Sequence, residues 1–517
     1  MMKKVLRTII YDLYGLIFIG TVFLMLGRQY VANVFTGKEF VLENAGFLIL
    51  SLLIIVLVLF INNKYGNKLE EFFAKNSTIL LLVSLGFLLF WQLYTCYGGY
   101  FYSGWDARVI FQTVLTEVAG DYSHLNTEYF SWFPNNLLII WLFTAVTRLA
   151  TACGFHNAEF APVIFQCILD IFTVWLVYRI TYGFTGSHRM AWAAYAVTYL
   201  FVGISPWFIV AYTDATGIIF PVLLIRIYQL LLEKESKSVK IIWSFMLGLI
   251  AITAYHIKPQ TVIPLIAIAL IELISAFDKK FIKNIITILP YIGGCIVGIL
   301  IALMIYHLCI VPSTHIVTDQ DKTIGWQHYI MMGLNDQTDG VYSGDDYAMT
   351  QSYETNAERN AADMEEAKKR IHDYGFVGMV RHLYRKQLVN YGDGTFAWNV
   401  EGNSFAGDPE WAHNSISGFI RSYIKPDGKN YEKFISCKQL MWVSIIFFQI
   451  FVPFYLQKDI YDNKDKMIMV MVTSIIGLTI FELLFEARAR YLFCFAPIYV
   501  ILGCVGLNNF YSYIKHH

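Results

Sequence analysis

Hydrophobic runs of membrane-spanning length recur along almost the whole chain. The first covers residues 8–26, and twelve more lie at 45–61, 77–97, 134–150, 159–180, 187–205, 213–231, 241–257, 260–277, 285–310, 438–456, 466–483 and 491–508. Each is close to the roughly 17–25 residues that a helix needs to cross a bilayer. The first run ends in Gly27-Arg28-Gln29 rather than a small-residue cleavage site, so we expect it to be retained. The pattern predicts an all-α polytopic membrane protein.

Basic residues in the loops predict how the runs cross. The loops at 62–76 and 232–240 are rich in lysine, which the positive-inside rule assigns to the cytoplasm. The rule is obeyed throughout only if 134–180 makes one net crossing. One of the runs 134–150 and 159–180 is then short, re-entrant or broken, and the sequence does not say which. This predicts about twelve transmembrane helices with both termini cytoplasmic.

The predicted topology divides the chain into three parts. Residues 1–310 form a transmembrane module with outer loops, 311–436 an extracytoplasmic segment of loops and helices, and 437–517 the C-terminal transmembrane helices. In the outer segment, Thr355 and Glu358 make a capping box that predicts an exposed helix. After Gly375, apolar residues mixed with cations are typical of a helix at the headgroup layer. We expect this segment to cap a membrane cavity.

Composition narrows the function. Apolar residues make up 56% of the 517 positions, and 39 basic residues balance 39 acidic ones, so no net charge attracts nucleic acid and none is expected as a partner. The eight cysteines lie in or beside apolar runs without a CxxC pair. Neither a disulfide framework nor a zinc site is therefore predicted.

Two carboxylates follow apolar runs on the predicted outer side. Asp106 stands behind Trp105, where partial desolvation would raise its basicity and make it a general base. Asp214 is the second candidate, although Asp is also a common helix cap. Asn135 and Asn136 open the next helix and either orient a polar substrate or only satisfy the helix end.

Cations also gather at the predicted outer edge. Arg488 and Arg490 lie between two spans, where guanidinium groups suit bidentate binding of phosphate; the alternative is pairing with Glu486. Lys258, two residues after His256, either binds phosphate or extends to solvent. A carboxylate base, cations at headgroup depth and an apolar groove are what a sugar transferase with a lipid-phosphate donor requires.

The order of these motifs resembles that of integral-membrane glycosyltransferases of the GT-C fold, which include protein O-mannosyltransferases, aminoarabinose transferases and oligosaccharyltransferase catalytic subunits. The outer segment looks more narrowly like GT-C proteins of Gram-positive bacteria that decorate cell-wall polymers. The matching motifs are Gly104-Trp105-Asp106, Trp132-Phe133-Pro134-Asn135-Asn136, Tyr212-Thr213-Asp214 and Arg490-Tyr491-Leu492, with Met331-Met332-Gly333, Gly340-Val341-Tyr342 and Asp393-Gly394-Thr395-Phe396-Ala397-Trp398 in the outer segment.

The resemblance implies a GT-C-like bundle and an inverting transfer at the outer face of the cell membrane. The donor would be an undecaprenyl-phosphate sugar and the acceptor a cell-surface glycopolymer, a wall polysaccharide or teichoic acid. Asp106 would be the base and Asp214 a second catalytic acid. The expected phosphate ligands are Arg488, Arg490 and Lys258, and the expected substrate-positioning residues are Trp105, Asn135, Asn136, Tyr212, His256 and Tyr491.

The sequence departs from the family at two positions. Phe133 stands where mannosyltransferases often carry histidine, and Asp214 is followed by Ala215-Thr216-Gly217 rather than a second acid. Neither a metal nor another cofactor is therefore expected. Two other functions fit many spans and outer cations: a flippase or transporter of a lipid-linked saccharide, which should carry ionisable groups within its spans, and a polysaccharide polymerase or ligase.

Overall fold

The computed structural model describes residues 2–34, 36–277, 280–402, 404–454 and 462–516, and these are mostly helical, as predicted. The α-helices are α1 Met2–Met25, α2 Asn44–Gly99, α3 Trp105–Ala119, α4 Thr127–Trp132, α5 Leu137–Ala152, α6 Ala161–Thr185, α7 His188–Thr198, α8 Thr213–Gly217, α9 Ile219–Glu233, α10 Lys237–Ile257, α11 Ile263–Ala276, α12 Phe281–Ile305, α13 Val311–Ser313, α14 Trp326–Gly333, α15 Gly344–Gln351, α16 Asn356–Tyr391, α17 Ser417–Ile424, α18 Tyr431–Gln449, α19 Asn463–Leu484 and α20 Ala496–His516. Strands β1 Arg28–Ala32 and β2 Glu39–Glu43 form an antiparallel hairpin between α1 and α2.

The long helix α2 folds back on itself. Straight, its 56 residues would extend for about 84 Å. Yet its first residue, Asn44, accepts a hydrogen bond from Gln439 at 2.7 Å. Lys438, next to Gln439, donates to the Phe201 carbonyl at 2.7 Å. Two residues later, the Gly203 carbonyl accepts a 2.8 Å hydrogen bond from Gln92, near the other end of α2. Both ends of α2 therefore lie at the same side of the bundle, and the predicted runs 45–61 and 77–97 make two passes within one helix.

Two faces of the bundle can be defined from long-range contacts. On the first, which we call the site face, Gly104 N–H donates to Ser404 O at 2.8 Å and Trp207 Nε1 donates to Thr395 O at 3.1 Å. These bonds join the loop before α3, the turn before α8 and the segment 314–430, which we call the cap. On the opposite face, Arg7 pairs with Asp465 at 2.9 Å.

Helix α5 does not cross the bundle. Near its end, Arg148 donates to the Glu117 carbonyl at 2.6 Å, at the end of α3 on the site face. Just before its start, Asn136 donates to the Tyr129 hydroxyl at 3.1 Å on the same face. The run at 134–150 is therefore the one that fails to span, and α6 makes the single net crossing that the basic loops require.

The number of passes agrees with the predicted bundle. Of the described helices, ten are long and apolar enough to span by themselves. The doubled α2 adds one pass and α5 removes one. Helix α7 is too short to qualify alone, and α18 is long enough but too polar. Both nevertheless connect the two faces. The described residues thus make twelve passes with both termini on the opposite face. Residues 455 and 456 of the predicted run 438–456 lie outside the described residues.

The cap closes the site face between α13 and α18. Its main helix, α16, begins at the predicted capping box, where the Thr355 side chain accepts from Glu358 N–H and the Glu358 carboxylate accepts from Thr355 N–H. Gly375, with φ of 54°, adopts a left-handed conformation that glycine tolerates, and it divides α16 into a polar first half and a second half that enters the bundle.

Candidate functional site

Asp106 lies in the first turn of α3, where a helix N-terminus favours a negative charge. Trp105, just before it, has a φ of 42°, a strained conformation for a non-glycine residue. Packing holds the strained residue in place: the Trp105 ring lies 5.1 Å from the Tyr212 ring and 4.7 Å from the Arg490 guanidinium. The strained turn therefore fixes Asp106, a partly exposed side chain, next to the tryptophan that contacts Arg490.

Neutral hydroxyl groups surround Asp106. The Tyr212 hydroxyl donates to its carboxylate at 3.4 Å, and Tyr129, itself bonded to Asn136, lies within hydrogen-bonding reach. Burial raises the pKa values of Tyr129 and Tyr212 well above the usual value for tyrosine, and the charge of Asp106 raises them further. Both hydroxyls therefore stay protonated. Among the residues that the structure describes, Asp106 makes no ion pair. It is therefore available to accept a proton.

The cap covers this carboxylate with further tyrosines. Tyr347 of α15 stacks on Phe133 with ring centroids 6.0 Å apart. Burial raises its pKa to about 12, with smaller contributions from Tyr342 and Asp106. Burial also raises the pKa of Tyr329 in α14, and nearby carboxylates raise it further. The group above Asp106 is therefore aromatic, hydroxyl-bearing and uncharged.

Beside Asp106 lie four cations and four carboxylates, all nearly excluded from solvent, which we call the charge cluster. Its members are Lys258, Lys386, Arg488, Arg490, Asp214, Glu401, Glu482 and Glu486. No group of three metal-ligating side chains within the described residues is arranged to hold a metal ion. Formal charges in the cluster balance.

Glu401 bridges the two predicted phosphate ligands. One carboxylate oxygen lies 2.6 Å from Arg488 and the other 3.4 Å from Arg490. Arg488 also pairs with Glu486 at 3.0 Å, the alternative that the sequence left open. Burial lowers the pKa of Arg488, but the charges of Glu401 and Glu486 outweigh it and raise that pKa above its usual value. Both arginines therefore stay charged and already bind an internal carboxylate.

Asp214 and Lys258 form a buried pair in the same cluster. Asp214 is 1% exposed; it accepts a hydrogen bond from Lys258 and lies 3.7 Å from Arg490. The residue that caps α8 is Tyr212, so Asp214 is not the helix cap that the sequence allowed. Lys258 is 5% exposed, with its ammonium 4.6 Å from the Tyr491 ring centroid, so it does not extend to solvent either.

The remaining predicted residues occupy three settings. Tyr491 donates to Glu486 at 3.0 Å and so belongs to the cluster. Asn136 holds Tyr129, whereas Asn135 is exposed. The ring of His256 packs on Tyr306, with centroids 3.7 Å apart, and its described contacts do not include the cluster.

Four cluster residues were not among the predicted site residues. Glu482 and Glu486 lie at the end of α19 and just after it, whereas Glu401 and Lys386 come from the cap. Lys386 donates to the carbonyl groups of Gly333, Leu483 and Phe485 at 2.8, 2.9 and 2.6 Å, and burial lowers its pKa to about 8. A Cβ on Gly333 would stand 2.4 Å from Phe485 O, so this approach requires glycine. The only signal in the sequence was one lysine within an amphipathic run.

A strained loop carries Glu401 into the cluster. Phe396 and Ala397 have φ of 55° and 62°, and the next residue, Trp398, packs edge-on against Trp207 at 5.5 Å. Such conformations persist only where the surroundings enforce them. The turn 398–402 then places Glu401 between the arginines.

The fold and the site define an all-α integral membrane protein with many passes and buried charges under a cap on one face. A family model described as "Conserved hypothetical integral membrane protein" matches residues 2–510, so the chain belongs to this family. No curated protein and no solved structure matches the chain. The family and the apolar helices establish a multi-pass membrane location.

Proposed function

We propose that the chain is a GT-C-like glycosyltransferase that moves a sugar from an undecaprenyl-phosphate donor to a cell-surface polymer, a wall polysaccharide or teichoic acid, at the outer face of the cell membrane. The observation that supports it is the position of Asp106, whose neighbour Trp105 contacts the Arg490 guanidinium at 4.7 Å. Within the part of the chain that the structure describes, Asp106 forms no ion pair. A base and a buried cation are what the two ends of such a reaction require.

In the proposed reaction, Asp106 removes the proton of an acceptor hydroxyl as its oxygen attacks the anomeric carbon. The carbon–oxygen bond to the lipid phosphate breaks, the phosphate leaves with the bonding pair, and the anomeric configuration inverts. Tyr212 donates to Asp106, and neither Tyr212 nor the nearby Tyr129 competes for the proton, because both hydroxyls stay neutral. The cap tyrosines restrict water, which would otherwise compete as the acceptor.

Arg488 and Arg490 would bind the departing phosphate. Their charge is fixed, and the aromatic rings around Arg490 reduce its solvation, which strengthens its attraction for an anion. Lys258 would act behind them by neutralising Asp214. The present structure pairs both arginines with Glu401, so phosphate binding requires displacement of that carboxylate.

Complementation of a deletion strain tests the proposal. Loss of the chain should remove a sugar from the wall polymer, detected as a mass change after hydrolysis, and wild type should restore it. Asp106→Asn, present at the same level, should lower the rate by roughly 10²–10⁴-fold. Asp121→Asn, which changes an exposed acid after α3, is the matched control and should restore the sugar. An unaltered polymer in the deletion strain, or full activity of Asp106→Asn, would refute this assignment.

Transport of a lipid-linked saccharide is the second candidate, because buried ionisable side chains, Asp170 and Glu482 among them, lie within spans. Asp170 of α6 is fully buried and bonded to Gln92 at 2.7 Å, and neither oxygen of Glu482 in α19 has a hydrogen-bond partner in the described structure. Such groups often mark transport pathways. In vesicles with a fluorescent polyprenyl-phosphate sugar, a flippase would expose the inner-leaflet lipid to dithionite; a transferase would leave it protected.

A further inference from the structure

An uncovered apolar surface lies on the second half of α16. Phe376, Val377, Val380 and Tyr384 are 85%, 71%, 53% and 43% exposed. Their spacing places all four within roughly 100° of one side of the helix. We call these four residues the apolar strip. Arg381, also exposed, lies at its edge.

The apolar strip points in the same direction as side chains that enter the membrane bundle. Gln387 and Tyr391 follow Phe376 by eleven and fifteen positions, so they lie on the same side of the helix. Gln387 donates to Thr21 of α1 at 2.7 Å, and the Tyr391 hydroxyl bonds Thr479 of α19 at 2.7 Å. The strip therefore faces the side on which the membrane helices lie.

The contacts of α16 also indicate its depth. At its end, a Cβ on Gly392 would stand 2.6 Å from the side chain of Gln29, which lies beyond the last residue of α1. One turn earlier, Gln387 contacts Thr21, inside the last two turns of α1. From Gly392 back to Gln387, in the direction of the strip, the contacts of α16 therefore move toward the middle of α1. The part of α16 that follows the strip thus lies beside the outer end of α1, where Phe23 is 77% exposed.

We propose that the apolar strip is embedded at the boundary between headgroups and acyl chains, in the leaflet on the site face. Exposed apolar residues of α1, such as Phe23, lie beside the part of α16 that follows the strip, which supports lipid rather than protein as its occupant, and Arg381 is placed to meet anionic headgroups. Lys386 on the same helix ties it to Phe485 beside the charge cluster. Lipid contact therefore helps to hold the cap over the site.

Site-directed spin labelling tests this docking surface. Single cysteines from Phe376→Cys and Val380→Cys, in the full chain with its native cysteines replaced, would carry nitroxides in vesicles of phosphatidylethanolamine and phosphatidylglycerol. Lys369→Cys, on the exposed polar half of α16, is the aqueous control, and Phe23→Cys on α1 is the lipid control. We expect positions 376 and 380 to resemble position 23: high collision rates with oxygen, and rates with a water-soluble nickel complex several-fold lower than at 369.

Two results would overturn the proposal. Nickel accessibility at 376 and 380 equal to that at 369 would show that the strip is in water. Low accessibility to both oxygen and nickel would show that protein, such as a second copy of the chain, covers it. The four substituted side chains are exposed, and correct folding is checked by comparing the collision rates at 23 and 369 with their expected lipid and aqueous values.

Discussion

Glu401 is the residue whose replacement tests the charge cluster most directly. It pairs with Arg488 at 2.6 Å and with Arg490 at 3.4 Å, in the position that a donor phosphate would take. Glu401→Gln keeps the shape and removes one negative charge. In wild type the cluster holds four cations and four carboxylates, so this change leaves the four cations with three carboxylates.

Two effects of opposite sign should follow. Without ligand, two buried arginines lose a charged partner, and breaking a buried pair typically costs about 3–5 kcal/mol of stability. An incoming phosphate, however, no longer has to displace a carboxylate from charge-assisted hydrogen bonds worth about 1.5–3 kcal/mol, which corresponds to an affinity gain of roughly 10–150-fold. The variant should therefore be less stable when empty and bind the donor lipid more tightly than wild type.

Thermal unfolding in detergent, with and without undecaprenyl phosphate, separates these effects. We expect Glu401→Gln to have a lower Tm than wild type without lipid and a larger upward shift on addition of lipid. Glu366→Gln, which removes a carboxylate paired with Arg370 in the cap, is the matched control and should leave the lipid-induced shift unchanged. A shift for Glu401→Gln equal to or smaller than that of wild type would refute Glu401 as the occupant of a phosphate site.

Three further predictions concern the cluster, the topology and the cap. Arg490→Lys keeps the charge but loses the planar group stacked on Trp105, so undecaprenyl phosphate should bind at least several-fold more weakly; unchanged affinity would place the phosphate elsewhere. A cysteine at Gly344 should react with an impermeant thiol reagent in whole cells, whereas one at Ser236 should react only after the membrane is opened; the reverse pattern would put the site face in the cytoplasm and refute an extracytoplasmic transferase. Burial lowers the pKa of Lys386 from 10.5 to about 8, so the folded chain holds this proton less tightly than the unfolded chain. Between about pH 8 and 10.5 the Tm of wild type should therefore rise relative to that of Lys386→Met, and a constant difference would contradict this assignment.

The sequence predicted the passes because their signals are local. Apolar runs and lysine-rich loops are read along the chain, so the failure of 134–180 to make two crossings was already visible in the loop charges. The start of α16 was equally local, since Thr355 and Glu358 satisfy each other's backbone groups within one turn. The segment 62–76, where α2 reverses direction, was predicted as a loop because its polar residues are typical of one. The structure has it as helix.

The composition of the site could be predicted only in part. Asp106, Asp214 and the arginines stand at span ends, where a charge in an apolar chain is conspicuous. Glu401 lies in the cap, among other polar residues, and only the docking of the strained loop before it brings it to Arg488. Lys386 reaches the cluster for a similar reason, because Gly333 allows the cap to approach Phe485. Tertiary docking leaves no periodic mark in a sequence.

The balance of charge in the cluster bears on how the proposed enzyme would release its product. Bare arginines buried at a membrane surface would be unstable, because an unpaired buried charge is costly. Glu401 and Glu486 neutralise them while the site is empty, and the same carboxylates compete with a bound lipid phosphate. This competition lowers donor affinity, but it also lets Glu401 return as the phosphate leaves. A site without the internal carboxylate would bind its lipid product more tightly and release it more slowly.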